Sequence, residues 1–257
     1  MNVPFSMDRA RSSLAMFLGL GLSTITLTDL ELRAASSSDG ESLAPSAVSA
    51  LHLAQGGEGG EGGAMSEGEK ANASFQDKLT PPELLKELRM GGYVIYFRHA
   101  QTDRDYADQA DKAMKLNDCN TQRKLSAVGI QQAKDIGTAF RTNDIPVGLV
   151  LASQYCRAWQ TADLAFGRHQ QEPLLNFLPF EDYTEQQVQQ MKQNLMPLLT
   201  AVPRQGTNSI IVGHDDLFEA ATGIYPEPQG MAYVLKPDGR GGFVLIANVL
   251  PDEWVRL

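Results

Sequence analysis

The chain has 257 residues, enough for one or two domains, and its 42% hydrophobic and 21% charged residues give a globular balance. A formal net charge of -9 argues against a general nucleic-acid binder, which needs a basic face. Two cysteines exclude a disulfide-framework fold, four histidines leave little for a histidine-rich metal site, and no run of about 20 apolar residues allows a polytopic membrane protein.

Residues 1–34 have the layout of a signal peptide or N-terminal anchor. Arg9 and Arg11 precede the moderately apolar stretch from Leu14 to Leu27, and small residues follow at Ala34, Ala35 and Ser36. Asp29, Glu31 and Arg33 interrupt that layout, so cleavage and retention as an anchor both stay open. Residues 35–74 are rich in Ser, Ala, Gly and Glu, including GGEGGEGG, and read as a disordered tether that cannot bury enough apolar surface to order itself. No Gly-Lys-Ser/Thr follows these glycines, so they are not a phosphate loop. The tether and leader hold more than half of the acidic excess, which leaves residues 75–257 compatible with a small cationic pocket.

From Phe75 the pattern alternates. Thr80 before Pro81 and Pro82 starts a helix that Gly91 and Gly92 stop. YVIYF (93–97) is a buried strand by its β-branched and aromatic content. Ser126 caps a helix to about Thr142, with Val128, Ile130, Ala133, Ile136 and Phe140 at helical spacing. VGLVLA (147–152) is a strand, 155–166 a helix, PLLNFL (173–178) a short strand, and 184–201 a helix with a glutamine-rich wet face. SIIVG (209–213) is a central strand, and MAYVLK (231–236) with GFVLIANV (242–249) flank a Pro-Asp-Gly hairpin turn. The expectation is a three-layer α/β/α sandwich with a mostly parallel sheet over 75–257.

Three of these strands end in polar clusters: Arg98-His99, Ser153 onward with Arg157 at the next helix start, and His214-Asp215-Asp216. In parallel sheets, reactive groups gather at the carboxyl ends of strands, and a helix N-terminus adds free N–H groups. Separate surface roles for each cluster are the plain alternative to a single anion pocket.

The residues Arg98-His99-Ala100, Ser153 with Arg157, Ala158, Thr161 and Ala162, and Gly213-His214 resemble, in order, the motifs of the histidine phosphatase superfamily. RKLSAVGIQQA (123–133) resembles a further segment of that family. The resemblance covers roughly residues 92–216 and implies a phosphoglycerate mutase-like fold. It implies a phosphomonoesterase in which His99 attacks phosphorus to form a phosphohistidine, while Arg98, Arg157 and a protonated His214 hold the phosphoryl oxygens. No metal and no cofactor is implied. Asp215 resembles the proton donor of the acid-phosphatase branch, and Glu181 or Asp182 the acidic loop of the mutase branch. Ala100 replaces the family's usual glycine, which narrows the pocket. The polar segment 101–122 is expected to cover the pocket, with Gln101, Thr102, Asn120, Arg123 and Ser153 as substrate contacts.

If the chain is exported, Cys119 and Cys156 can form a disulfide tying that segment to the pocket wall; otherwise they are two separate thiols. Exported relatives with Arg-His-Ala resemble phosphatases of lipopolysaccharide-core sugar phosphates, so an envelope sugar phosphate is the expected partner, with the protein in the periplasm or secreted and with or without membrane anchoring. A phosphomutase or cytoplasmic small-metabolite phosphatase is the alternative enzyme, and a phosphate- or phosphoprotein-binding module the alternative without turnover.

Overall fold

The structure, a computed structural model, describes residues 64–104, 106–180 and 182–257. The expected leader (1–34), the tether as far as residue 63, and Glu181 lie outside the described residues. In chain order the elements are α1 (Glu67–Ala73), α2 (Pro81–Met90), β1 (Val94–Arg98), α3 (Ala127–Thr142), β2 (Val147–Ala152), α4 (Cys156–Phe166), β3 (Gln170–Gln171), α5 (Glu185–Thr200), β4 (Asn208–Gly213), α6 (Asp215–Thr222), β5 (Ala232–Pro237) and β6 (Phe243–Val249).

The sheet runs in the order β3-β2-β4-β1-β5-β6. β1, β2, β3 and β4 are parallel, and β5 and β6 add an antiparallel edge. Every residue of β1 is buried, as a central parallel strand with both faces covered requires. Successive side chains alternate between the faces. Ile95 and Phe97 pack with Leu84 and Leu88 of α2, Ile136 and Phe140 of α3, Ala158 and Ala162 of α4, and Trp254. Val94 and Tyr96 pack on the other face with Met191, Leu195 and Leu199 of α5 and Leu217 and Phe218 of α6. The expected three-layer sandwich is therefore the observed one, and its strands β1, β2 and β4 end within a residue of the expected positions.

Three local expectations change. The end of the tether is not irregular: Ser66 and Glu69 form a capping box at the start of α1. Tertiary contacts hold that helix, with Tyr233 Oη donating to Asn72 Oδ1 (2.6 Å) and the Tyr225 N–H donating to the Gly68 carbonyl (3.1 Å). Among the described residues, ordered structure thus extends back to Ser66, ahead of the expected boundary at 75. PLLNFL is not a strand: Pro173 has no N–H for a ladder, the Glu172 side chain caps Leu174 N, and residues Pro173–Leu175 form a 3-10 turn after the two-residue β3. On α3, Val128 and Ile130 face outward, and the close approach is made instead by Gly129 and Gly137.

Gly129 brings α3 against the loop that follows β1. A Cβ there would stand 2.0 Å from the Gln101 carbonyl oxygen, a backbone atom that cannot swing aside. Gly129→Ala is expected to cost about 1–3 kcal/mol of stability by overpacking, read as a lower urea midpoint with an unchanged slope.

Glu219 of α6 lies buried beneath Gly68 of α1, and its Oε2 has no hydrogen-bond partner. Burial, helped by Asp215 and Glu69, pushes its carboxyl up to about 7. Because the folded pKa exceeds the unfolded one, its contribution is fully present below about 4.5 and is lost as pH rises through about 7. Thermal melts should therefore show Glu219→Gln equal to wild type near pH 4 and more stable at pH 8, by on the order of 3 kcal/mol.

Candidate active site

The pairing register brings the polar clusters together. Arg98 at the end of β1 lies beside Gly213 at the end of β4, and Ala152 at the end of β2 lies beside Val212. The three strands are parallel neighbours, so the residues just past each end converge on one edge. Arg98, His99, Arg157 and His214 are all at most 1% exposed, so this is a buried cluster, not a rim.

His99 Nδ1 is 2.8 Å from the Ala100 carbonyl, which can only accept; the ring therefore carries its hydrogen on Nδ1. Nε2 is left with a lone pair, and it accepts from Arg157 Nε at 3.1 Å. Burial, then the charges of Arg157, Arg123 and Arg98, push the His99 pKa well below the ordinary imidazole range. The result is a neutral imidazole with one fixed nucleophilic nitrogen. Ala100 is fully buried, and its N–H donates to Thr161 Oγ1 (3.0 Å), whose hydroxyl donates to the Arg157 carbonyl (2.7 Å). That chain couples the backbone under His99 to the helix that carries Arg157.

His214 is not the protonated ring expected from the sequence. Burial, then Arg157, Arg123 and Arg98, push its pKa well below the ordinary range, so it is neutral. Its tautomer follows from its neighbours. Ser153 Oγ donates to Asn176 Oδ1 (2.9 Å) and accepts from the Tyr155 N–H (3.2 Å), so it must also accept from His214 Nε2 at 2.9 Å. Nδ1 is left bare and has no partner. Tyr96 Oη bridges the backbone of the same residue, accepting from its N–H (2.8 Å) and donating to its carbonyl (2.6 Å). The rings of His99 and His214 meet edge to face with centroids 5.5 Å apart.

Asp215 behaves as a counter-ion. Its Oδ2 lies 2.6 Å from Arg98 Nη2 and accepts from Tyr225 Oη (3.0 Å), while Oδ1 accepts from the Asp216 N–H (3.1 Å). Burial pushes this carboxyl up, but Arg98, Tyr225, Arg123 and the Asp216 N–H outweigh it and hold it below the usual range. A carboxylate held ionised by a salt bridge is a poor proton donor, which counts against the donor role expected of Asp215. Asp182 is exposed, and Glu181 lies outside the described residues. Asp216 is instead pushed well above the carboxylate range, by burial and then by Asp215 and Glu219.

The expected substrate contacts separate. Arg123 adjoins the cluster through its backbone N–H, which donates to the Asp108 carboxylate that pairs with Arg157, and its Nη2 donates to Thr102 Oγ1 (2.9 Å) and its Nη1 to the Tyr106 carbonyl (3.1 Å). Ser153 reaches it only through His214. Gln101 is exposed, its Oε1 taken by Ser126 Oγ (3.1 Å). Asn120 is also exposed, beside Cys119, and accepts from Lys124 Nζ (3.2 Å). Neither has a hydrogen bond to the cluster. Cys119 and Cys156 are joined in a disulfide that links segment 101–122 to the start of α4.

Three partners were not foreseen. Asp108 pairs with Arg157, Tyr225 fixes Asp215, and Asn176 orients Ser153. The Asp-rich composition of 101–122 was the available signal for the first; nothing local in the sequence marks the other two.

Residues 94–205 match the family model described as Histidine phosphatase superfamily (branch 1). No curated protein matches the chain. Among solved structures, the chain is similar to the protein histidine phosphatase SixA complexed with tungstate, at 16% identity over 63% of this chain and 98% of that one, with a TM-score of 0.44. It is similar to a mutant phosphoserine phosphatase from Entamoeba histolytica in complex with phosphoserine (14% identity, 62% and 97% coverage, TM-score 0.44). It is similar also to the alpha-ribazole phosphatase from Shigella flexneri (18% identity, 60% and 94% coverage, TM-score 0.42). The matched stretch, residues 94–205, contains Arg98, His99 and Arg157 of the buried cluster and is similar to the histidine phosphatase superfamily.

A counter-ion role and a donor role for Asp215 differ in their kinetics. Asp215→Asn is expected to lower kcat/KM about 10- to 100-fold, and by the same factor for p-nitrophenyl and for alkyl phosphates. A much larger loss on the poor alkyl leaving group would restore Asp215 as the proton donor.

Proposed function

We propose that this chain is a phosphatase of the histidine phosphatase superfamily, and that it hydrolyses small phosphate monoesters through a covalent phosphohistidine on His99, without a metal, and outside the cytoplasm. The observation that carries the reading is the His99 ring. It is neutral, its Nδ1–H is fixed by the Ala100 carbonyl, and its Nε2 lone pair stands in a shell of buried guanidiniums.

In the first step the Nε2 lone pair forms a bond to phosphorus as the P–O ester bond breaks, and the leaving oxygen takes up a proton. Arg157 and Arg98 stabilise charge on the non-bridging oxygens, which is where it must be stabilised in a phosphoryl transfer. In the second step water attacks phosphorus, the P–N bond breaks, and orthophosphate leaves a neutral His99. Ser153, Asn176 and Tyr96 act as positioning residues that hold the orientation of His214.

A small substrate is favoured by the depth of the site, because a phosphorylated side chain on a folded protein would have to displace a wider roof to reach His99. An envelope sugar phosphate is the class this reading prefers. The Cys119–Cys156 disulfide supports an oxidising compartment, since such bonds seldom persist in a reducing cytosol.

The test compares wild type and His99→Ala on p-nitrophenyl phosphate in EDTA. The expected result is a kcat lowered roughly a thousandfold or more, with an acid-labile, base-stable phosphoenzyme trapped only from wild type. Equal rates for the two proteins would remove His99 from the reaction. Because burial and the neighbouring cations keep His99 unprotonated, the yield of trapped phosphoenzyme is expected to hold as pH falls from 7 to 5.5. A decline following an ordinary imidazole pKa would contradict the neutral-ring geometry.

A further inference from the structure

The nucleophile's lone pair is occupied. For His99 Nε2 to attack anything, Arg157 Nε must leave it, because one lone pair cannot accept a hydrogen bond and form a bond to phosphorus at once. Arg157 is not free to leave. Its Nη1 donates to both oxygens of Asp108, at 3.0 and 2.9 Å, and that ion pair is buried, with the two side chains 0% and 1% exposed. Asp108 Oδ2 also accepts the Arg123 backbone N–H at 3.0 Å. The carboxylate thus receives three hydrogen bonds from a guanidinium and a backbone amide, the kind of donor set that a phosphoryl group takes. The remaining guanidinium nitrogen, Arg157 Nη2, has no partner.

Asp108 sits in the 3-10 turn Asp108–Ala110 of segment 101–122. The far end of that segment is tied down twice beside Arg157: Cys119 is bonded to Cys156, and the Cys156 N–H donates to Gln122 Oε1 (2.8 Å). Movement of the turn away from Arg157 would therefore leave the far end of the segment attached.

We propose that Asp108 is a specificity-determining latch: its carboxylate holds Arg157 on the nucleophile and competes with the substrate for that guanidinium, so that only a phosphoryl dianion displaces it. The inference rests on the phosphatase reading above. A monoester dianion brings more charge and more acceptor oxygens than the carboxylate it replaces, whereas a diester brings a single charge. Displacement frees Nε2 in the same movement, so the nucleophile is released only when a suitable anion has arrived.

The experiment is calorimetric titration of the full chain with inorganic phosphate at fixed ionic strength, using wild type, Asp108→Asn and Arg157→Ala, together with KM for p-nitrophenyl phosphate. Asp108→Asn is expected to bind phosphate about tenfold more tightly or better and to lower KM. Its free form should melt at a lower temperature, since a buried guanidinium loses its counter-charge, and phosphate should raise that melting temperature by more than it raises the wild type's. A merely structural role for Asp108 predicts the opposite, weaker phosphate binding from a misplaced Arg157. Arg157-dependent binding that Asp108→Asn leaves unchanged or weakens overturns the latch alone. Absence of Arg157-dependent binding in both wild type and Asp108→Asn overturns the phosphatase reading and the latch with it. If Asp108→Asn does not fold, wild type crystallised with orthovanadate decides: Asp108 should have left Arg157, and an Asp108–Arg157 pair intact beside vanadate on His99 overturns the proposal.

Discussion

A guanidinium with no exposed surface is the constraint around which this site is built. Taking a charge out of water costs several kcal/mol unless partners replace the lost hydration, and Arg157 has two, the Asp108 carboxylate and the His99 lone pair. Each partner is thereby specified. The imidazole must be neutral to accept, which fixes its hydrogen on Nδ1 and calls for an acceptor there, and the Ala100 carbonyl is that acceptor. The carboxylate must be buried as well, which draws segment 101–122 down over the cluster. One buried cation therefore accounts for the tautomer of His99 and for the roof above it.

The sheet makes this arrangement possible without specifying its chemistry. β2, β4 and β1 are parallel neighbours, so the chain leaves all three at the same edge and delivers Ser153, His214 and His99 within contact distance. Rigid strands place the backbone; the side chains are then set by hydrogen bonds that cross between elements. Tyr96 in β1 grips the backbone of His214, and Thr161 in α4 ties the peptide after His99 to Arg157. A site assembled this way is held by the sheet and by several crossing bonds at once, as catalytic positioning requires.

Much of this was legible in the sequence, for identifiable reasons. The three strands are short apolar runs bounded by turn residues, and a buried parallel strand has little other way to be written. The residues after them, Arg98-His99, Ser153 to Arg157 and Gly213-His214, needed only the rule that parallel strands share an active edge. The misreadings share a cause, which is that pairing is a tertiary property. Asp108 is one of several aspartates in a polar segment, and nothing local separates the one that meets Arg157 from Asp103 or Asp111. Gln101 and Asn120 are expected as contacts from their positions next to the motifs; the structure shows their side-chain oxygens bonded to Ser126 and Lys124. α1 was hidden because Ser, Glu, Gly and Lys also compose linkers, although the Ser66 and Glu69 spacing of a capping box was there to be read.

The acids at the head of α6 show why position after a histidine does not by itself assign a role. Asp215, Asp216 and Glu219 are all buried within one helical turn and a half, and like charges so close cannot all ionise in a medium that screens them weakly. One of them takes the charge, and the choice falls to the one that touches a cation. Arg98 meets Asp215 at 2.6 Å, so Asp215 ionises. That fixed charge, added to burial, then raises the carboxyls of Asp216 and Glu219, the latter to about 7. The residue directly after His214 is thus the counter-ion that holds Arg98 in place, and the acids with raised carboxyls are the two that follow it along the helix.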